Sequence, residues 1–249
     1  EGVNVIIGRN HIAREDNGSL RITATEQIGR VLDGKVVGSI QAGRIRIHST
    51  DDRATITAQS ADLQAKQVDI SAGNAALHGK IVRHSDRHIS KVSNQKGVSV
   101  HEQQSGFHET YQGTHIQAEQ LNVDVRGKLD ISGANIQAKS SQISGGNVYL
   151  GVEKTVNLSE QSKNQSKGRW YRNESESKRV ETLHRTTIAG DSVNIVATKD
   201  KVTAEAAKIT AETAALYGEH GINLQGAKAT TKQSARADFK NETWRLKTG

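Results

Sequence analysis

The sequence contains no cysteine, methionine or proline, and only eight of its 249 residues are aromatic. Without cysteine, the chain has no disulfide and no thiolate chemistry. A compact enzyme of this length normally buries many large side chains, whereas the apolar residues here are mostly Ala, Val and Ile. Disorder is also disfavoured, because disordered chains are rich in proline and poor in β-branched residues. The composition therefore predicts an ordered but non-compact β protein.

Long apolar runs are absent as well, since none exceeds four residues, as at 214–217. No segment is therefore long enough to cross a membrane as a helix, and the N-terminus shows no signal-peptide pattern. The missing initiator methionine favours a segment of a longer protein. Lys and Arg number 34 against 27 Asp and Glu, a formal net charge of +7, which favours an acidic partner.

One short sequence motif recurs along the chain. It consists of an apolar residue, a small residue two positions later, and then two apolar residues separated by one other residue. Its copies span residues 40–47, 63–70, 116–123, 136–143, 188–195 and 209–216. The local period of two indicates strands. Short strands about every ten residues, on a period near 20, predict an all-β fold: a right-handed parallel β-helix. Its apolar side chains would stack on their counterparts one rung away, with Ala and Gly at the corners.

A longer repeat lies on top of this one, because Leu63, Ile136 and Ile209 follow one another at equal steps along the sequence. We predict a single β-helical segment over 1–249, with a partial unit at 1–38, full units at 39–114 and 115–187, and a partial unit at 188–249. In each unit about two plain rungs precede a stretch that breaks the pattern. These stretches, at 8–38, 80–115, 156–187 and 227–249, are predicted to form lateral β-hairpin excursions. Their turn signals are Asp16-Asn17-Gly18, Asn94-Gln95-Lys96-Gly97 and Lys167-Gly168.

The excursions are the basic part of the chain, with 23 Lys and Arg against 13 Asp and Glu, whereas the rungs have 11 against 14. They also contain most of the aromatic residues, and basic side chains beside aromatic ones suit an anionic glycan or lipid headgroup. The alternative is that the aromatics pack the hairpins and the basic residues solvate them. The candidate surface-interaction residues are Lys167, Arg169, Trp170, Tyr171, Arg172, Phe107, Tyr111 and Trp244.

Catalytic and metal chemistry are not indicated. On a strand, His84 and His88 would lie about 13 Å apart, too far for one metal ion. The acids Asp51, Asp52, Asp62, Asp69, Asp124 and Asp130 could serve polysaccharide cleavage, but they occupy interchangeable rung positions without an aromatic platform. The chain has no phosphate-binding loop and no sequence-specific nucleic-acid module. We therefore expect no catalytic residues, no metal and no cofactor.

Several of these rungs carry a family resemblance. Ile136-Gln-Ala, Gly145-Gly-Asn-Val-Tyr-Leu150 and Ile188-Ala-Gly-Asp-Ser-Val-Asn-Ile195 resemble the haemagglutinin repeats of filamentous-haemagglutinin-like exoproteins. The Ser- and Lys-rich stretch Ser159-Glu-Gln-Ser-Lys-Asn-Gln-Ser-Lys-Gly168 is also similar. The alternation of plain rungs and such stretches looks most like the second repeat region of contact-dependent growth inhibition proteins. The resemblance covers nearly the whole chain.

The resemblance implies a secreted protein at the bacterial cell surface, exported by an outer-membrane partner in two-partner secretion. It implies a filament segment that supports cell contact and delivery of a C-terminal toxin. Further expected partners are an anionic envelope component or glycan and neighbouring repeats of the same filament. Three alternatives stay open: an adhesin stalk that binds host or envelope glycans, a β-helical polysaccharide-degrading enzyme, and an inert spacer.

Overall fold

The computed structural model describes residues 2–93 and 96–240, which fold as strands joined by turns. They form two compact units. The first, here the helix unit, comprises Glu1–Lys80, Tyr111–Glu153 and His184–Ala227. The second, here the excursion unit, comprises Ile81–Thr110, Lys154–Leu183 and Lys228–Gly249. The described residues include no α-helix that could span a membrane.

The chain contains twenty strands in the described ranges. In order they are β1 (Gly2–Ile7), β2 (Asn10–Arg14), β3 (Leu20–Ala24), β4 (Gly34–Gln41), β5 (Arg44–Ser49), β6 (Thr55–Gln64), β7 (Gln67–Ala72), β8 (Asn74–His78), β9 (Lys80–Ser93), β10 (Ser99–Gln112), β11 (His115–Val125), β12 (Lys128–Ser132), β13 (Asn135–Gly145), β14 (Asn147–Lys167), β15 (Trp170–Arg185), β16 (Thr187–Ala197), β17 (Val202–Glu205), β18 (Lys208–Gly218), β19 (Ile222–Gln225) and β20 (Thr231–Lys240).

The helix unit is a parallel β-helix in which each rung passes through three stacks of strands. The first stack contains β8, β12, β17, β19 and the beginnings of β4, β6 and β14. The second contains the ends of β4 and β6 and the beginnings of β11, β13, β16 and β18. The third contains β1, β5, β7 and the ends of the same four strands. The all-β, parallel β-helix prediction is confirmed.

The six copies of the recurring sequence motif lie on top of one another in register. Their first residues form one column of paired positions: Ile40, Leu63, Ile116, Ile136, Ile188 and Ile209. The middle four of these side chains are at most 1% exposed. Inward stacking of the repeated apolar positions is therefore confirmed. Truncating one such buried side chain to alanine costs about 2–5 kcal/mol in comparable cores.

A tight corner joins the first stack to the second in the uninterrupted rungs. At this corner the backbone takes positive φ at Gly38 (82°), Ser60 (54°), Gly133 (64°) and Ala206 (49°). Small residues were expected at corners, and the left-handed conformation explains why, since a side chain is strained there.

The second and third excursions leave the helix at this same corner. One follows β8, and the other leaves partway along β14 and returns before β16. The sequence pattern predicted about two plain rungs before each excursion. Two uninterrupted rungs, β4–β5 and β6–β7, precede the second excursion, whereas only β12–β13 separates the second excursion from the third. At a corner the chain can leave without breaking a ladder of backbone hydrogen bonds within a stack.

A buried threonine lies where each of these two excursions returns to the β-helix. The Thr114 hydroxyl donates to the carbonyl of His78 at 2.7 Å and accepts from the backbone N–H of Ala61 at 3.2 Å. Its counterpart Thr186 lies 2.8 Å from the carbonyl of Gly151 and accepts from the N–H of Gly133 at 3.1 Å. Both threonines are 0% exposed. Each hydroxyl thus joins the strand before the excursion to the rung below.

The first excursion is built differently. Residues 10–24 form a separate two-stranded antiparallel sheet, β2 with β3, whose turn contains Gly18 at φ 81°. Gly34 and the residues after it pair with β6, so residues 34–38 belong to a rung instead of the predicted excursion 8–38.

We expect Thr186→Val to lower the free energy of unfolding by about 2–4 kcal/mol, because an isosteric methyl removes the buried hydroxyl's hydrogen bonds with the carbonyl of Gly151 and the N–H of Gly133. Those two groups then keep only their long 3.4 Å contact with each other. Urea denaturation would measure the loss. Thr186→Ser keeps the hydroxyl and should recover most of it. Thr187→Val, one residue along and less buried, is the matched control, and an equal loss there would contradict the assignment.

Candidate interaction surface

The excursion unit contains one antiparallel sheet, here the excursion sheet. It consists of the parts of β9, β10, β14, β15 and β20 that lie in that unit, and neighbouring strands pair in this order. A two-residue turn at Gly168 and Arg169, with Gly168 at φ 57°, connects β14 to β15. Successive excursions therefore pair with each other, which the sequence pattern did not indicate.

Neither face of this sheet is apolar. Opposite residues on β10 and β14 include Gln104 with Gln161 and Ser105 with Glu160. On β15 and β20 they include Ser175 with Arg236, and every described residue of β20 is exposed. A sheet without a buried face obtains its order from backbone pairing and polar contacts, so its specificity depends on those contacts.

The pairing between excursions repeats with the sequence. Ser99 lies opposite Ser166 in one pair and Tyr171 opposite Lys240 in the next. Ser99 and Tyr171 are separated by the same number of residues as positions 116 and 188 in the rungs. Ser166 and Lys240 are likewise separated by the same number of residues as positions 150 and 224. The register of the excursion sheet is thus repeated from unit to unit.

A carboxylate fixes the first of these pairs. The Glu109 side chain on β10, 8% exposed, accepts from the backbone N–H of Val156 at 2.7 Å and from Arg83 at 2.6 Å. Burial alone would raise the pKa of this carboxyl, but the hydrogen bonds from Arg83 and Val156 outweigh it and lower the pKa. The Arg83 guanidinium also lies 4.0 Å from the centre of the Phe107 ring.

The same arrangement recurs one unit later. Glu181 on β15 accepts from the backbone N–H of Thr230 at 3.2 Å, from its hydroxyl at 2.9 Å and from Arg179 at 2.7 Å. These contacts, that with Arg179 first, lower the pKa of Glu181 to about 2. Neither acid was predicted from the sequence, although the step from 109 to 181 equals the step between the two buried threonines, from 114 to 186. That shared step is the signal by which both acids could have been found.

Basic outgoing strands alternate in the sheet with returning strands that are acidic (99–110) or balanced in charge (170–183). The outgoing segments 81–93, 154–167 and 231–240 hold nine Lys and Arg against three Asp and Glu. The returning segments 99–110 and 170–183 hold three against five. Neighbouring strands therefore attract each other, as in the ion pair of Lys163 with Glu102 at 2.7 Å.

The faces of the sheet form shallow polar grooves. One of them has a volume of about 660 Å³, and its lining crosses all five strands. Among the lining residues are His88, Gln104, Lys163, Glu174 and Arg236. Side chains of this kind form hydrogen bonds with polyhydroxylated or charged ligands.

The structure brings five of the eight predicted interaction residues together at the β14–β15 turn. Lys167 ends β14, Arg169 lies in the turn, and Trp170, Tyr171 and Arg172 begin β15. Tyr171 is 39% exposed. Arg172 is engaged with Glu174 at 2.6 Å.

The other three candidates lie elsewhere. Phe107 is opposite Leu158, roughly 30 Å along β14 from Lys167 by strand rise. Tyr111 belongs to the helix unit, where its hydroxyl donates to the carbonyl of Gly133 at 2.8 Å and its ring stacks on His184 at 4.3 Å. Burial raises the pKa of Tyr111, and its contacts favour a packing role. Trp244 lies outside the described residues.

Two of the acids considered for metal or catalytic chemistry, Asp69 and Asp130, make contacts within the helix unit. Among the residues that the structure describes, no three His, Asp or Glu are arranged to hold a metal ion. Asp69 accepts from Arg44 and Asn122, each at 2.9 Å. Asp130 accepts from Ser132 at 2.7 Å and lies 3.2 Å from His78. These carboxylates are occupied by contacts between and along rungs.

Comparison with known proteins gives two distant relatives. The chain is 21% identical over 258 residues to a hemolysin of Serratia marcescens, covering 99% of this chain and 15% of that protein. It is 22% identical over 240 residues to a hemolysin of Proteus mirabilis, covering 92% of this chain and 15% of that protein. The chain thus spans about 15% of the length of these relatives. No protein-family model matches it, and no solved structure matches significantly.

We expect Glu109→Gln to loosen the pairing of β10 with β14, because the amide is a weaker acceptor for Arg83 and for the N–H of Val156. Hydrogen exchange at Val156 should become about tenfold faster, equivalent to about 1.4 kcal/mol. Glu102→Gln, the same change in an exposed pair on the same strand, should alter exchange less than twofold. Equal effects of the two substitutions would refute the special role of Glu109.

The Glu181 contact gives a pH dependence with a definite sign. Because the pKa falls from 4.5 to about 2 on folding, the contact stabilises fully above pH 4.5 and is lost as pH falls towards about 2. The amide proton resonance of Thr230 should therefore change little between pH 5 and 3.5. In Arg179→Gln the midpoint should move up towards 4.5. A midpoint near 4.5 in the unaltered chain would contradict the geometry.

Proposed function

We propose that this chain is a structural and contact segment of a secreted bacterial filament at the cell surface. In this proposal the filament leaves the cell through an outer-membrane partner of two-partner secretion and carries a C-terminal toxin, as in contact-dependent growth inhibition. The chain itself is not an enzyme. Its part is to extend the filament and to present the excursion sheet to an anionic envelope component or glycan.

Two findings support the coarser part of the proposal, a secreted two-partner exoprotein. The first is the parallel β-helix itself, with its long repeat of rungs and excursions. The second is the similarity to two hemolysins along nearly the whole chain. The finer part, toxin delivery, rests on the resemblance of the Ser- and Lys-rich excursions to the second repeat region of those delivery proteins.

The excursion sheet is the single observation that carries the contact role. It repeats with the rungs, has no apolar face to bury, and presents polar grooves and basic outgoing strands. A chain that only extended the filament would need none of these features, because the rungs alone form a continuous core. The five residues at the β14–β15 turn add an exposed aromatic and basic tip.

We expect the purified chain to bind whole Gram-negative cells saturably at low salt, and more weakly at high salt because screening reduces its attraction to anionic groups. Lys167→Glu together with Arg169→Glu should weaken binding about fivefold or more. The matched control is Lys199→Glu with Lys201→Glu, which changes net charge equally at a turn of the helix unit. Flow cytometry with labelled chain measures both.

The alternatives predict other results. No binding at either salt, from a chain folded by circular dichroism, leaves an inert spacer. Binding that resists salt and is removed by free neutral glycans favours an adhesin stalk. Release of reducing sugars or unsaturated products from a panel of anionic polysaccharides would overturn the non-enzymatic assignment.

A further inference from the structure

The strand β9 is the open end of the excursion sheet. Within the excursion unit β9 pairs with β10, and no described strand of that unit covers its other edge. At the two ends of this pair, Arg83 contacts Glu109 and the hydroxyl oxygens of Ser93 and Ser99 lie 3.4 Å apart. Along this edge, residues 81–93 present backbone groups that no described strand of the excursion unit pairs with.

The repeat explains what is missing at this edge. β14 and β20 each receive the returning strand of the preceding excursion, together with a carboxylate, Glu109 or Glu181. The segment one repeat before Glu109 contains Val36 and Val37, and Val36 is buried in the helix unit. The described residues therefore supply β9 with neither the returning strand nor the acid that its two counterparts have.

The side chains of β9 favour an acidic strand as the partner of this edge. Arg87 and Lys91 are exposed and make no ion pair among the described residues. Ile89 and Val92 on the same strand are 48% and 62% exposed. A strand paired with this edge gains from acidic residues opposite the basic ones and from covering these two apolar side chains.

A second copy of the chain is a poor occupant. The described end strands of the sheet, β9 and β20, are both basic, with three Lys and Arg against one Asp or Glu in 81–93 and again in 231–240. Pairing either with β9 of another copy would place like charges in opposite positions, which is destabilising. The charges therefore prevent self-pairing while leaving the edge available.

We propose that the free edge of β9 binds, by antiparallel strand addition, an extended acidic segment of a partner protein. The segment follows the pattern of β10: polar and acidic residues without net positive charge, and a carboxylate near its C-terminal end. Main-chain hydrogen bonds supply the affinity, and acidic side chains opposite Arg87 and Lys91 supply the selectivity.

The test uses the whole 249-residue chain and a fluorescent synthetic peptide with the sequence of residues 98–112, which contains Glu102 and Glu109. We expect saturable binding, and slower hydrogen exchange in 80–93 but not in 231–240 when peptide is present. A peptide with both glutamates replaced by lysine should bind about fivefold more weakly or not at all. Arg87→Glu with Lys91→Glu in the chain should cause a similar loss.

The control chain is Lys199→Glu with Lys201→Glu, which has the same net charge as the β9 variant and should bind the peptide normally. Equal losses in the two variants would show attraction to net charge only and would overturn the proposal. Protection confined to β20, or no binding of the glutamate peptide to a folded chain, would overturn it as well. Dimerisation that slows exchange in 80–93 would make a second copy the occupant instead.

Discussion

The constraint on which the whole structure depends is that each rung obtains its backbone hydrogen bonds from the rungs before and after it. A strand inside a stack cannot be interrupted without leaving two ladders unpaired. The corner between the first and second stacks is different, because there the chain already turns through a left-handed residue such as Gly133. The second and third excursions replace that corner, and a buried threonine forms hydrogen bonds there in each case.

The two units follow different physical rules. The helix unit is held by columns of buried aliphatic side chains, so its stability comes from burial and from in-register stacking. The excursion sheet has no such core, and its strands are aligned by backbone pairing, by ion pairs such as Lys163 with Glu102, and by Glu109 and Glu181. Such a sheet gives less stability per residue, but it leaves both faces free for contact.

Periodicity in the sequence predicted those features of the fold that depend on the burial of apolar side chains. The alternation at 40–47 and its five copies was sufficient for the fold, since each apolar position stacks on its own equivalent. Periodicity could not show that excursions pair with each other, because β10 and β14 have polar residues on both faces and their contact is non-local. The turn between β14 and β15 was predictable from Lys167-Gly168, and the contact role of residues 167–172 stays a prediction. The acid at position 109 was not predictable, because it resembles other surface glutamates until its spacing to Glu181 is noticed.

The equal sequence steps of rungs and excursions restrict how such a protein changes over time. Adding or removing one residue within an excursion would shift its strand by one position and turn every side chain to the opposite face. The same change within a strand of a rung would move an isoleucine out of its column, whereas a corner absorbs it, since Ile116 and Ile136 are 20 residues apart and Ile188 and Ile209 are 21. Gain or loss of a complete module, rungs and excursion together, preserves both registers at once. Duplication and deletion of whole modules are therefore the changes that such an array tolerates best, and they would set the reach of the filament.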